Sequence, residues 1–143
     1  MRVVVPSLLL RRALVADAVA SGAVALAQLA GGDALAGALA LPRGLLLETG
    51  AFLAAYTALL VVMARRPRLP AALVQLVVVG NVGWALAAVA ILAEGLVAPG
   101  VMGAAWLLAQ AAATAGLAAW ERAGLRASVG ANGVAATARA LAP

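Results

Sequence analysis

Acidic and hydroxyl side chains inside long apolar runs are the residues of this sequence that could do chemistry. Asp17 and Glu48 each interrupt such a run, and Tyr56 adds a third group able to exchange a proton. The sequence contains no Cys and no His, which removes thiolate and imidazole metal ligands, disulfides and histidine-based nucleophile triads. It also lacks a phosphate-binding glycine loop. We therefore predict no catalytic residue, no cofactor and no metal site, and we expect the acids to act through charge, proton exchange or hydrogen bonding.

The composition explains why these charged side chains are informative. Of the 143 residues, 66% are hydrophobic and 10% are charged, whereas the apolar content of soluble domains is nearer half. We therefore predict an integral membrane protein, in which a charge near the centre of a span costs roughly 2.5–3.5 kcal/mol on insertion scales and needs a partner or a function. The net charge of +5 comes from arginines that flank apolar runs without interleaved aromatic residues. This pattern argues against a nucleic-acid partner.

Four apolar runs are long enough to cross a bilayer as helices. The basic loop Arg65-Arg66-Pro67-Arg68-Leu69-Pro70 separates the middle two, because its prolines end one helix and allow the next to start. The first run could alternatively be the apolar part of a signal peptide, but its length and Asp17 favour a span. The predicted segments are a cytoplasmic lead-in over 1–12, a transmembrane domain over 13–121 with spans at about 13–30, 45–64, 71–93 and 101–120, an interfacial helix over 34–41, and a flexible cytoplasmic tail over 122–143.

The arginines set the orientation of these spans. Positive residues near the ends of spans stay on the cytoplasmic side, and every arginine except Arg43 falls on one side of the predicted arrangement. We therefore predict an all-α four-helix bundle with both termini inside, built from two in-out-in hairpins. The absence of lysine is typical of a GC-rich bacterial genome, so the expected location is the bacterial cytoplasmic (inner) membrane, as a multi-pass protein. The expected topology anchors are Arg11, Arg12, Arg65, Arg66, Arg68 and Arg122.

Each predicted span carries one polar stripe, as expected when four helices face one another in a bundle. The candidate functional residues on these stripes are Glu48, Asn81, Gln110, Asp17, Gln28, Tyr56 and Trp84. From their positions along the spans, we expect Asp17 to pair with an arginine near the inner surface and Asn81 to share a buried site with Gln110 near mid-bilayer. Glu48 has no ideally spaced cation on its own helix, which makes it the first candidate for a functional carboxyl.

Three short motifs carry a family resemblance. The Arg65-Arg66-Pro67-Arg68 loop, Asn81-Val82-Gly83-Trp84 and Ala109-Gln110-Ala111 resemble those of a group of small uncharacterised bacterial four-span proteins, over most of the chain. A second similarity, to DoxX-like four-span proteins, rests on Glu48. Both resemblances imply a four-helix membrane bundle, and neither implies a particular activity.

Three functions stay open at this point. The first is a non-catalytic accessory, assembly or scaffold subunit, which would bind a protein partner or a second copy through small-residue faces such as Ala16 with Ala20 and Ala112 with Gly116. The second is a small proton-coupled transporter or exporter that uses Glu48. The third is a membrane-embedded enzyme acting on a lipid or a quinone. The absence of a nucleophile-base pair favours the first function over the third.

Overall fold

The computed structural model describes the backbone of residues 2–140 and the side chains of residues 2–129. The elements in chain order are β1 (Val3–Val4), α1 (Leu8–Leu39), α2 (Arg43–Arg65), β2 (Leu69–Pro70), α3 (Ala71–Ala93) and α4 (Val101–Ala140). All four helices are long and apolar enough to cross a membrane, α4 over its Val101–Val129 part. The prediction of an all-helical bundle of four apolar helices is therefore confirmed.

Helices α1 and α4 each pack closely on two other helices. Helix α1 packs on both α2 and α4, and α4 packs in turn on α3, so that the order around the bundle is α2, α1, α4, α3. The backbones of α2 and α3 make few close approaches. Aromatic side chains bridge them instead, since the ring of Phe52 on α2 stacks on that of Trp84 on α3 with centroids 5.7 Å apart. The α2–α3 side is thus the loosest seam of the bundle.

Helix α1 begins before the first predicted span and has a kink near its other end. Ser7 caps its start, with the Oγ atom accepting a hydrogen bond from the backbone N–H of Leu10 at 3.2 Å. Near its other end the helix bends at Gly32, whose φ of +46° lies in the left-handed region that glycine adopts readily. The backbone is not helical at Gly32, where ψ is −129°, and a second, short helical part of α1 follows and ends at Leu39. A short helix close to the predicted 34–41 is therefore present, and its location at the membrane interface stays a prediction.

Helix α4 continues past the predicted end of the fourth span. The backbone is helical through Ala140, where the sequence predicts a flexible tail from residue 122, and Leu125 and Ser128 are buried. The physical reason is that hydropathy falls after Trp120 while helix propensity does not, because the tail stays rich in alanine. Residues 141–143 of the predicted tail lie outside the described residues.

The predicted lead-in is part of the packed fold. Strands β1 and β2 pair antiparallel, with Val4 opposite Leu69, and both of these side chains are buried. Arg11 also joins two elements, since its guanidinium donates to the carbonyl of Ala64 at 2.8 Å and to that of Arg66 at 3.1 Å, at the end of α2 where carbonyls lack helical partners. We call this end of the bundle the basic end; it holds residues 2–7 and the loop over 65–70. The opposite end, near residues 94–100, is called the far end.

Candidate functional site

A buried carboxylate at the centre of the bundle collects hydrogen bonds from three helices. Asp17 on α1 is 0% exposed. One of its oxygens accepts from Ser21 Oγ at 2.8 Å, and the other accepts from Tyr56 OH at 2.9 Å and from Asn81 Nδ2 at 2.8 Å. Asp17 is therefore well supplied with donors, which is the condition for keeping a polar group out of water.

A second buried carboxyl group adjoins the first. Glu121 on α4 is 0% exposed, and its Oε2 accepts from the same Asn81 Nδ2 at 3.2 Å. Its other oxygen, Oε1, is buried and has no hydrogen-bond partner among the described residues. We call Asp17, Ser21, Tyr56, Asn81 and Glu121 the carboxyl cluster. All four helices contribute to it.

The helices bring these side chains to one level because of their positions along the chain. Asn81 lies ten residues after the start of α3, which is roughly 15 Å at 1.5 Å per residue, and Tyr56 lies nine residues before the end of α2. Glu121 belongs to the part of α4 nearer the basic end, but helical side chains lean toward the N-terminus of their helix. This direction carries its carboxyl group toward the centre of the bundle.

The charge of the cluster is not balanced by an arginine. The expected pairing of Asp17 with an arginine is wrong, because the one ion pair found among the described residues joins Arg43 to Asp33 at 3.0 Å near the far end. Of the two arginines that precede Asp17 on α1, Arg11 is bound to the carbonyls at the end of α2 and Arg12 is exposed. Two adjacent buried carboxyl groups without a cation can hold a proton between them or bind a small cation.

The expected pairing of Asn81 with Gln110 is also wrong. Asn81 donates to the two carboxyl groups, and Gln110 lies in a separate pocket with Trp84. Glu121, eleven residues further along α4, is the residue of α4 that bonds Asn81 in place of Gln110. Glu48 is exposed and has no hydrogen bond among the described side chains, so the carboxyl group singled out from the sequence lies outside the cluster.

Glu121 is the member of the carboxyl cluster that the sequence placed only at the end of a span. The signal for it was present, since Glu121 is eleven residues, or about three helical turns, from Gln110 on the same polar stripe. Ser21 was likewise aligned with Asp17 at a spacing of four residues. The sequence did not reveal that Glu121, the last residue of the polar stripe of α4, lies beside the carboxyl group of Asp17.

A pocket of about 170 Å³ lies between the four helices nearer the far end. Its polar lining residues are Gln28, Thr49, Trp84, Trp106 and Gln110, and the others are leucine, isoleucine and alanine. We call it the tryptophan pocket. Gln28 is only 3% exposed, and its Oε1 atom lies 3.2 Å from the Thr49 Oγ1 atom.

A smaller pocket of about 40 Å³ lies between the tryptophan pocket and the carboxyl cluster. Trp84 and Gln110 line both pockets, and Ser21, which donates to Asp17, lines the smaller one. The tryptophan pocket is therefore connected to the cluster through a few shared side chains.

Comparison with known proteins does not add a family to this geometry. No protein-family model matches the sequence, no curated protein matches it, and no solved structure matches the fold. The resemblance to DoxX-like and other small four-span proteins stays a prediction.

Proposed function

We propose that this chain is a multi-pass protein of the bacterial cytoplasmic membrane with both termini on the cytoplasmic side. The arginines of the basic end support this orientation through the preference of positive residues for the cytoplasm. The outer face of α3 supports insertion, because it exposes a row of large apolar side chains that suit lipid better than water. These are Leu76, Val79, Val82, Leu86 and Val89.

Within the membrane the protein acts as a small proton-coupled transporter, with Asp17 and Glu121 as the groups that bind the proton. The observation that carries this proposal is the pair of fully buried carboxyl groups that share Asn81 without a cation among the described residues. Ionisable groups at such depth are costly, and they commonly mark ion or proton pathways. The role assigned to Glu48 from the sequence passes to these two residues, because Glu48 is exposed.

Proton uptake and release at the cluster would alter the packing of the bundle. With a proton shared between the carboxyl groups, the interface of α1 and α4 carries less charge and packs closely. When the proton leaves, two carboxylates face each other across that interface, and their repulsion in a low-dielectric interior favours separation of the helices. The connection through Ser21 and Gln110 would transmit this change to a solute in the tryptophan pocket.

Proton movement in liposomes tests the proposal. The purified protein is reconstituted into liposomes that contain a pH-sensitive dye, a membrane potential is imposed with potassium and valinomycin, and internal pH is followed. The wild type should acidify or alkalinise the lumen faster than protein-free liposomes, and Asp17→Asn and Glu121→Gln should slow it to near the protein-free rate. Glu48→Gln is the matched control and should behave as the wild type. Equal rates for the wild type and protein-free liposomes would contradict the proposal.

An accessory role is the second candidate, and one observation favours it. Ala112 and Gly116 are exposed on α4, and a Cβ atom added at Gly116 would meet nothing within 4 Å. Small residues of this kind let another helix approach closely in lipid. Mild-detergent purification followed by mass spectrometry tests this role: a stoichiometric protein partner, together with no proton movement in the liposomes, would favour the accessory role over transport.

A further inference from the structure

We propose that the tryptophan pocket binds an uncharged, ring-sized apolar molecule that carries a hydrogen-bond acceptor such as a carbonyl group. The further claim that this molecule is the substrate of the transporter rests on the proposed function. The claim that the pocket binds it rests on the pocket alone and can be tested separately.

The size and lining of the pocket limit the ligand to one ring without charge. A volume of about 170 Å³ is close to that of an engineered apolar cavity of about 150 Å³ that binds benzene. The walls are mainly apolar, with Leu41, Leu45, Leu46, Ile91 and Leu107 among them. No charged side chain lines the pocket in the part of the chain that the structure describes, so neither an anion nor a cation would recover its lost hydration there.

N–H donors without hydrogen-bond partners in the described part of the chain line the pocket, and they favour a ring that carries an acceptor. Gln28 is almost fully buried, and its Oε1 faces the Thr49 hydroxyl group while its Nε2, a donor, has no hydrogen bond to the described residues. The side-chain amide of Gln110 also lines the pocket and has no hydrogen bond to the described residues. Each amide supplies two N–H donors. A carbonyl oxygen would relieve the cost of leaving such donors unpaired in an apolar site.

The loose seam between α2 and α3 offers a route into the pocket. Both helices line the pocket, and on the outside of the bundle the stack of Phe52 on Trp84 bridges them. Phe52 is exposed on the outside of the bundle. An apolar solute dissolved in lipid would therefore reach the pocket from the side by displacing one aromatic ring, without crossing the charged basic end.

Indole NMR signals provide a sharp readout of binding. The chain has three tryptophans: two line the pocket, and Trp120, which does not line it, serves as an internal control. Protein labelled with ¹⁵N-tryptophan in detergent micelles is titrated with acetophenone and, in parallel, with ethylbenzene, which has similar size but no acceptor. We expect the Trp84 and Trp106 indole signals to shift saturably with acetophenone, while the Trp120 signal stays in place.

Gln110→Leu tests the role of the acceptor. Because Gln110 is half-buried and its side chain has no bond to the described residues, this change should leave the fold intact, as judged by an unmoved Trp120 signal. It should weaken acetophenone binding about tenfold, in line with the loss of one hydrogen bond in an apolar site, and leave ethylbenzene binding unchanged or tighter. Equal affinity of the two compounds for the wild type, no saturable shift at Trp84 and Trp106, or a matching shift at Trp120 would overturn the proposal.

The same titration separates this inference from the transport function. Asp17→Asn should keep the acetophenone shift, because Asp17 does not line the pocket. Saturable binding without proton movement in liposomes would refute transport and keep the site. Proton movement without binding would refute the site and keep transport.

Discussion

Three donors reach the carboxylate of Asp17 from different parts of the chain, and each is held differently. Ser21 lies one turn further along α1, so its bond forms within a single helix. Tyr56 is supported by its neighbour Phe52, whose ring is nearly parallel at a centroid distance of 6.3 Å. Asn81 is shared with Glu121. Loss of the tyrosine bond would therefore weaken the contact between α1 and α2 without opening the others.

Tyr56→Phe should lower the free energy of unfolding by about 1 kcal/mol, within the range for hydrogen bonds in membrane bundles. The ring and its stack on Phe52 remain, and only the hydroxyl group that donates to Asp17 is lost. Reversible denaturation in mixed micelles measures the change. Glu48→Gln, at an exposed site on the same helix, is the control and should change stability little. Equal effects of the two substitutions would show that the Tyr56 hydroxyl group does not stabilise the bundle.

Sequence reasoning selected the members of the cluster better than it selected their partners. The polar stripes pointed to Asp17, Tyr56 and Asn81, because a polar group in an apolar helix has to face protein. The partners were wrong since depth was counted from helix ends that lie elsewhere. Helix α1 starts at Leu8 instead of residue 13, which places Asp17 deeper than expected. Pairing across helices depends on such offsets, and hydropathy locates them poorly.

At the scale of elements, α1 and α4 approach each other closely at the basic end. A Cβ atom added to Gly124 would lie 2.6 Å from the Cα atom of Leu10, so the two backbones touch here. Ser7 and Ser128 fasten the same region: Ser7 Oγ donates to the Gly124 carbonyl at 3.0 Å, and the Ser7 N–H donates to Ser128 Oγ at 2.9 Å. The start of α1 is therefore held on the extension of α4.

Gly124→Ala should destabilise the protein by about 1–3 kcal/mol, because the new methyl group meets backbone atoms that have no rotamer with which to move away. Gly116→Ala is the matched control on the same helix, with open space around the added atom. It should be neutral or stabilising by up to about 1 kcal/mol, since alanine favours helix more than glycine does. Thermal unfolding in detergent measures both. A smaller loss for Gly124→Ala than for Gly116→Ala would contradict the close contact.

The helix bounds show which elements the sequence could predict. Helices α2 and α3 match their predicted spans to within two residues, because proline lies beside both ends of the loop that joins them and a proline precedes α2. The ends of α1 and α4 carry weaker signals. The backbone is non-helical at Gly32, between two helical parts of α1, and the alanine-rich stretch after Trp120 continues as helix.

For the whole molecule, the arginines of the basic end predict one orientation in the membrane. The native chain has no cysteine, so Arg68→Cys and Ala98→Cys give single thiols at exposed sites near the basic end and the far end. A membrane-impermeant maleimide should label the cysteine at 98 in intact cells and the cysteine at 68 only after lysis. The opposite labelling pattern would contradict the proposed orientation.

The sequence does not predict the order of the helices around the bundle. Short connections predict antiparallel neighbours, and α1 with α2 and α3 with α4 follow that rule. The direct packing of the first helix on the last, and the loose seam between α2 and α3, depend on where small residues allow close approach. Alanine occurs on every face of these helices, so its pattern alone does not distinguish one order from another.

The contribution of all four helices to the carboxyl cluster has a consequence for the biogenesis of the protein. Under the proposed topology, Asp17 enters the bilayer with α1, which is made before the other three helices, when Ser21 is its only partner from the cluster. Tyr56 and Asn81 follow with the next two helices, and Glu121 is translated last. The polar interior is therefore completed only after the fourth helix has been inserted. A newly made chain therefore has a complete carboxyl cluster only after its four inserted helices have assembled, and insertion of any one helix is not enough.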